Sequence, residues 1–410
     1  MAPWKRTYWV VYAANLIVAL GMMSFLPFFP SFLEELGVHD RAAVQRWSGI
    51  TFGAAPLAAA VMGPVWGSIG DRFSRKLMVL RSMLAITLFV GAMGFARTPW
   101  ELLILRLLQG VFSGVVPPSV TLVSVAAPRE VQGRIAGSLQ GAMSLGSIAG
   151  PLLGALVRDR LGMRGVFLFV SALSGLSALL VGLLAREEVD APRPAAGFSA
   201  ARLASHVLGD LGASLRLRSV RGALLVLFCA QLGSSAVSPQ IELFVRDVWK
   251  GDPEKLTEMT ALVFSAFAVT SLIAMPVWGR FGDRVGHARA LRLCALSGAA
   301  ALGLHVFAFA YVLLLVARLA LGLTISGANA TSFAFVATET PVERRGSALG
   351  AAFSARAFAM SLGSMGGGVL AAAVGLRGMC AASAVLVVLG TLLAQAWIDR
   401  PPAESVRVGT

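Results

Sequence analysis

Charge is scarce in this sequence. Asp, Glu, Lys and Arg make up 14% of its 410 residues, against about 25% in a typical soluble domain. Beside a hydrophobic share of 57%, that scarcity excludes a soluble protein of two or three domains. Cysteine is rarer still: Cys229, Cys294 and Cys380 each sit inside an apolar run without CxxC spacing, which argues against a disulfide framework and a zinc site. The four histidines are dispersed, and no nucleophile elbow, phosphate loop or carboxylate cluster is present. The chain is therefore not read as an enzyme, no cofactor or metal is expected, and no nucleotide-binding segment is available for ATP to act through. Acid is the scarcer charge, 21 residues against 35 basic ones, for a net charge of +14. A basic excess can mark a nucleic-acid binder, but these Lys and Arg are scattered over short connections rather than gathered on one domain, so nucleic acid is not expected.

What is present in abundance is apolar sequence. A window of about 19 residues finds runs centred near Ile17, Ala58, Phe89, Gly114, Gly146, Ala172, Gly233, Val269, Ala301, Thr324, Met360 and Val387. At about 20 residues each, they span a hydrocarbon layer of roughly 30 Å as helices. Strands of a membrane barrel would alternate apolar and polar residues over about ten positions, and no segment does so. The fold class expected is an all-α integral membrane protein with twelve transmembrane helices. With Lys5 and Arg6 on the cytoplasmic side, the loops of that side carry the larger share of the basic residues. This predicts a multi-pass protein of the inner (plasma) membrane with both termini cytoplasmic. The first apolar run is long, lacks a small-residue cleavage site and fits the repeat below, so it reads as a retained helix.

The phrase PVWGSIGDRFSRK at Pro64 returns at Pro276 as PVWGRFGDRVGHAR. A shift of 212 positions also brings Pro27 onto Pro239, Phe32 onto Phe244, Arg106 onto Arg318 and Gly110 onto Gly322. One residue more aligns Pro128, Gly133 and Gly137 with Pro341, Gly346 and Gly350. Two pseudo-symmetric six-helix bundles follow, residues 1–185 and 221–400, with a linker at 186–220 and a cytoplasmic tail at 401–410. An even number of helices per half gives both the same orientation, the parallel-repeat plan of a class of secondary transporters with substrate bound between the halves. The linker is charged and then places Leu203, Val207, Leu211 and Leu215 at helical spacing, predicting an amphipathic helix on the membrane surface.

The repeated loop has a physical reading of its own. Gly67 and Gly70 permit close backbone approach, and Asp71 lies among Arg72, Arg75 and Lys76. A carboxylate there can face the positive end of the eleventh helix, which starts near Gly346, latching one half to the other. By pseudo-symmetry Gly279, Asp283 and Arg284 would face the start of the fifth helix near Gly133, and breaking either latch favours the other access state. In the fifth helix Gly137, Gly141, Gly146, Gly150 and Gly154 line up to let another helix approach, and Pro151 adds a bend.

These stretches resemble a known family. GSIGDRFSRK resembles the hallmark loop of the major facilitator superfamily, with Ser74 in place of the usual glycine; in the second copy Gly286 is kept, while His287 and Ala288 replace basic residues. LRLLQGVFSG (Leu105 to Gly114) is similar to that family's fourth-helix motif with its membrane Arg. GSIAGPLLGA resembles the fifth-helix antiporter motif through Gly146, Gly150, Pro151 and Gly154, with Ala155 replacing a final glycine. SARAFAMSLGSMGGG (Ser354 to Gly368) is most similar to bacterial multidrug exporters of the MdtG type. The resemblance implies the two-bundle fold with twelve helices, drug:proton antiport and export rather than import.

Charges at membrane depth are costly, roughly 2.5 to 3.5 kcal/mol for an Arg on insertion scales, and must meet a partner or a wet cavity. Arg106, Arg318 and Arg356 qualify. Arg106 occupies the family's coupling position, and Glu242, late in the seventh helix, is the expected proton carrier. Burial raises a carboxyl's pKa and a nearby guanidinium lowers it, so movement can decide whether the proton stays. Glu242 can equally pair with Arg246 one turn later. Arg318, Arg356, Gln240, Met143, Phe353 and Met360 are expected to line a substrate cavity, Arg356 meeting an anionic or polar group and the apolar side chains adapting to amphiphiles. The function expected is proton-coupled efflux of amphiphilic drug-like molecules, with protons, a small-molecule substrate and lipid as partners of a monomer. The alternatives are a specific carrier for a sugar, siderophore or endogenous metabolite, and a non-transporting receptor or assembly partner.

Overall fold

A backbone group without a partner is costly in lipid, so apolar runs close their hydrogen bonds within helices. The computed structural model describes residues 3–70, 74–187, 212, 217–341 and 344–398. These form twelve helical rods, with no strand among the described residues. In chain order they are α1 (Trp4–Glu35), α2 (Arg41–Gly70), α3 (Arg75–Met93), α4 (Pro99–Ser124), α5 (129–161) and α6 (163–184). The second set is α7 (Arg218–Val248), α8 (Pro253–Val285), α9 (His287–Val306), α10 (Tyr311–Glu339), α11 (345–374) and α12 (376–398). Leu84, Leu88, Leu179, Leu183, Phe307 and Leu393 lie exposed around the rim, where a bilayer would cover them.

The sequence repeat recurs as a repeat of local geometry. α1 is interrupted by a 3-10 turn at Leu26–Phe28 and α7 by one at Ser238–Gln240, with Pro27 and Pro239 removing the same backbone donor. Trp66 Nε1 donates to the Val111 carbonyl at 2.6 Å, and Trp278 Nε1 to the Leu323 carbonyl at 2.7 Å. Arg164 caps the carbonyls of Gly94 and Ala96, and Arg377 caps that of Ala308. Both loopless junctions, α5 to α6 and α11 to α12, turn on a glycine at positive φ, 69° at Gly162 and 77° at Gly375. With ψ of about 180° this region is essentially reserved for glycine, and a side chain there would cost about 1–3 kcal/mol.

Buried side chains divide into two clusters. One runs from Val11 to Ala185 and takes in Ala261; the other runs from Val220 to Ile398 and takes in Val44. The halves meet mainly where α2 crosses α11 and α5 crosses α8. Ser361 Oγ donates to the Gly53 carbonyl at 2.7 Å, Ser265 Oγ to the Ile148 carbonyl at 2.7 Å, and Gln240 Nε2 to the Gln45 carbonyl at 2.9 Å. All lie in the half of the molecule toward which α1 ends. We call that end outer and the opposite end inner, following the charge distribution.

At the inner end the halves stand apart. A Cβ added at Gly133 or Gly137 of α5, Gly346 or Gly350 of α11, Gly63 or Gly67 of α2, or Gly279 of α8 would meet no described atom beyond its own stretch of helix within 4 Å. At Gly49 or Gly368, in the outer crossing of α2 and α11, it would collide with the partner helix backbone. Among the described residues the molecule is closed at its outer end and open at its inner end.

Candidate functional site

The outer closure centres on one carboxylate. Glu242 follows the Pro239 turn of α7, which brings it against α1 and leaves it 1% exposed. Across the interface Ser31 on α1 gives it both a backbone N–H, 3.0 Å from Oε2, and its hydroxyl, which bonds Oε1. Arg158, near the outer end of α5, places Nη1 at 3.2 Å from Oε1, with its guanidinium 5.0 Å from the centre of the Phe28 ring. From its own helix Arg246 contributes Nη2 at 3.1 Å. The Ser31 hydroxyl accepts from Arg158 Nη2 and Arg246 Nη2, each at 2.7 Å. Arg246 also donates to both oxygens of Glu34, at 2.7 and 2.9 Å. Arg41 and Asp247, 2.6 Å apart, add a more exposed pair between halves.

Magnitudes rank these contacts. Removing one partner from a buried, hydrogen-bonded ion pair typically costs about 3–5 kcal/mol, whereas exposed pairs contribute about 0–1 kcal/mol. The Glu242 cluster thus dominates the electrostatics of closure, and Arg41–Asp247 is secondary.

The three membrane arginines occupy different environments. Arg106 is 2% exposed and satisfied: Nε donates to the Thr51 carbonyl at 3.0 Å, Nη2 to that of Phe52 at 3.2 Å, and Nη1 to Gln109 Oε1 at 2.7 Å. Its guanidinium also lies near the Phe25 and Phe29 rings, so it ties α1, α2 and α4 together. Arg318 is 1% exposed within the second bundle, near Phe267, with Nε and Nη1 unpaired. The position equivalent to Gln109 is Leu321, which removes the matching acceptor. Arg356 is half-buried on α11, its Nε donating to Gln231 Oε1 at 3.2 Å. Gln240 is sealed in the outer closure rather than facing the opening. Met143 and Met360 are half-buried, and Phe353 is 60% exposed against Phe333.

The α5 glycines form a seam. A Cβ at Gly146, Gly150 or Gly154 would collide with Ala19, Leu20, Met23 or Ser24 of α1. Ser24 Oγ donates to the Gly150 carbonyl at 3.0 Å, and the next residue, Pro151, is buried. Gly363 and Gly367 seat α11 against Leu232 and Ala236 of α7 in the same manner.

Of the residues expected to latch the inner end, Asp71 and Arg72 lie outside the described residues. Ser74 is the N-cap of α3, accepting from the Leu77 N–H at 3.1 Å. Glu187, just past α6, accepts from the Ser74 hydroxyl and from the N–H groups of Arg75 and Lys76, and Lys76 Nζ donates to the Gly182 carbonyl at 2.7 Å. In the second copy Asp283 is 71% exposed by its side chain and lies 3.6 Å from His287, with no ion pair to the start of α5 among the described residues. Arg284 is likewise exposed. That arrangement fits an open inner end. Most of the linker helix and the tail also lie outside the described residues.

Arg158, Ser31 and Glu34 were absent from the sequence-derived set. Glu242–Arg246 spacing gave a signal along one helix; nothing in the sequence gave the partner across the interface.

The sequence matches the profile of the Major Facilitator Superfamily over residues 11–250 and 223–410. Multidrug resistance protein MdtG of Proteus mirabilis is 29% identical over 307 residues, 74% of this chain and 72% of that protein. The multi-drug resistance efflux pump PmrA homolog of Lactococcus lactis is 30% identical over 70% of this chain and 68% of its own length. MdtG of Serratia proteamaculans is 31% identical over 70% and 68%. Among solved structures, a bacterial homolog of the human lysosomal transporter Spinster, inward-facing and unoccupied, superposes with a TM-score of 0.75 at 15% identity, covering 97% of this chain and 98% of that one. The human organic anion transporter MFSD10 (TETRAN) gives 0.69 at 18% identity, covering 96% and 100%. At such identities these structures speak to the fold alone.

Proposed function

The chain belongs to the Major Facilitator Superfamily and is a multi-pass membrane transporter; from that premise we propose that it exports amphiphilic drug-like molecules in exchange for protons. Relatives named as multidrug efflux proteins at 29–31% identity support the direction and the substrate class. The α1–α5 seam at Gly146, Gly150, Pro151 and Gly154 is in keeping with both.

One observation carries the coupling: Glu242 holds the outer end closed through Arg158 of the other half. A proton on Glu242 removes the charge that Arg158 and Arg246 neutralise, so the proton and the interhalf ion pair compete for one group. In the inward-open state the pair is made, and substrate enters from the inner side. When the halves rock, Arg158 and Glu242 separate, substrate leaves outward, and the carboxylate takes a proton from the outer solution. Reclosure re-forms the pair and expels the proton toward the inner opening. Each cycle then moves one substrate out against proton entry. Arg106 holds the α1–α2–α4 unit that carries Ser31, and the loop with Gly67, Asp71 and Arg72, together with Gly279, Asp283 and Arg284, latches the inner end when it closes. A monomer in the inner membrane with both termini cytoplasmic suits this cycle.

Reconstitution into liposomes with an imposed pH gradient and a panel of amphiphiles tests the reading. Wild type is expected to drive accumulation with the gradient, while Glu242→Gln retains exchange of substrate down its own gradient and loses proton-driven accumulation. Equal proton-driven flux by Glu242→Gln would remove Glu242 from the mechanism. Absence of movement for every compound under any gradient would sink the exporter reading.

A further inference from the structure

We propose that Arg356 is the head-group subsite of the inward-open cavity and selects amphiphiles that carry an anionic group, a carboxylate, sulfonate or phosphonate, over cationic ones of the same body. The inference rests on the export reading for the route the ligand takes, but not for its binding.

Among the three membrane arginines only Arg356 has donors to spare in accessible space. Arg106 spends its guanidinium on two carbonyls and Gln109, and Arg318 is sealed inside its bundle. Arg356 makes one hydrogen bond, from Nε to Gln231, and its two terminal nitrogens are neither bonded to a described residue nor closed off from solvent. Gln231 is itself oriented by Nε2 donating to Ser235 Oγ at 2.8 Å, so the amide oxygen is turned toward the guanidinium and fixes its direction. Two free terminal N–H groups in a plane match the two oxygens of an oxyanion.

Among the described residues no carboxylate pairs with this charge. Glu242, the one fully buried carboxylate among the described residues, lies in the outer closure and is engaged there by Arg158 and Arg246. A guanidinium at membrane depth with a single neutral partner needs water or an anion, and an entering oxyanion meets it without displacing a competing acid. A cation would meet only repulsion.

The neighbouring side chains define the rest of the ligand. Phe353, Arg356 and Met360 fall within about 60° of one another around α11, and so share a face. Phe353 is 60% exposed and packs at 4.5 Å ring separation on Phe333 of α10, giving an aromatic surface one turn toward the inner opening; Met360 lies one turn deeper. The site fits an aromatic or aliphatic body with one negative head.

A matched pair of fluorescent probes tests this: pyrenebutyrate and a pyrenebutyl-trimethylammonium salt, titrated against the full chain in nanodiscs and followed as flux in proteoliposomes. Pyrenebutyrate is expected to bind at least about tenfold tighter, as one charge-assisted bidentate contact provides. Arg356→Gln should weaken pyrenebutyrate by about 10- to 100-fold while leaving the ammonium probe within about twofold, and Arg356→Glu should invert the preference. Gln231→Leu, which frees the guanidinium from its anchor, is expected to weaken the anion by a smaller factor and serves should Arg356 variants misfold. Equal or tighter binding of the ammonium probe, binding of neither, or insensitivity of anion affinity to both Arg356→Gln and Gln231→Leu overturns the subsite. Export of the ammonium probe alone would overturn the subsite and leave the exporter reading standing; anion binding through Arg356 without flux under any gradient would do the reverse.

Discussion

A guanidinium inside a membrane protein is defined by what accepts its hydrogen bonds, and the three here separate on that criterion. Arg106 meets two carbonyls released toward it by α2 and the amide of Gln109. Replacing it with Ala strips acceptors of a charged donor in a buried site, which typically costs about 3 kcal/mol. Arg106→Ala should therefore lower the thermal midpoint in detergent markedly, and Arg106→Lys should not restore it, because one ammonium cannot span all three acceptors. Arg318 lacks the Gln109 equivalent, so Leu321→Gln is expected to raise stability by about 1 kcal/mol by supplying it, read as a higher midpoint. The Gln109 and Leu321 difference is visible in the sequence once the repeat is aligned; its consequence needed the two environments side by side. Glu242 was legible as a costly carboxylate and Arg246 as its neighbour one turn on. Arg158 and Ser31 were not, since they lie 84 and 211 positions from Glu242, and helical periodicity does not say which helix a residue faces.

At the scale of elements, glycine and proline carried most of what could be foreseen. Pro27 and Pro239 break α1 and α7 at matching places, and those breaks turn Ser31 and Glu242 toward one another. The glycine stripe of α5 foretold a close helix approach without naming the partner, which is α1. Its two ends make a clean contrast. Gly150→Leu should cost about 1–3 kcal/mol by driving α1 from its seat, whereas Gly141→Leu, where a Cβ meets nothing within 4 Å, should stay within about 0.5 kcal/mol. Thermal unfolding of the two variants side by side measures this; equal losses would mean the seam does not seat α1. The departure at Ser74 from the family's glycine also has a reason in geometry, because its hydroxyl caps α3 and meets Glu187. Sequence marked the departure but not the partner, 113 positions away.

For the whole molecule, twelve spans and an internal repeat were readable from composition and self-similarity, because lipid permits few other arrangements of apolar segments. The conformational state was not, since it depends on which end of the bundle the halves close, a difference of a few kcal/mol between two packings of the same sequence. Here the outer end is held by the Glu242 cluster and by the α2–α11 crossing at Gly49, Gly53 and Gly368, while the inner end has no counterpart among the described residues. If the ion pair is the dominant hold, Glu242→Gln and Arg158→Ala should each shift the population toward the outward-open state, and the double variant should add little to either alone.

Pulsed electron–electron resonance on spin labels at the exposed positions Glu101 and Lys255 of the outer end, and Glu130 and Arg344 of the inner end, reports that population directly. The wild type should give a short outer and a long inner distance; Glu242→Gln should lengthen the outer distance and shorten the inner one. Distance distributions that ignore the Glu242→Gln substitution would contradict the claim that the charge on this carboxylate, held by Arg158, sets which end is open.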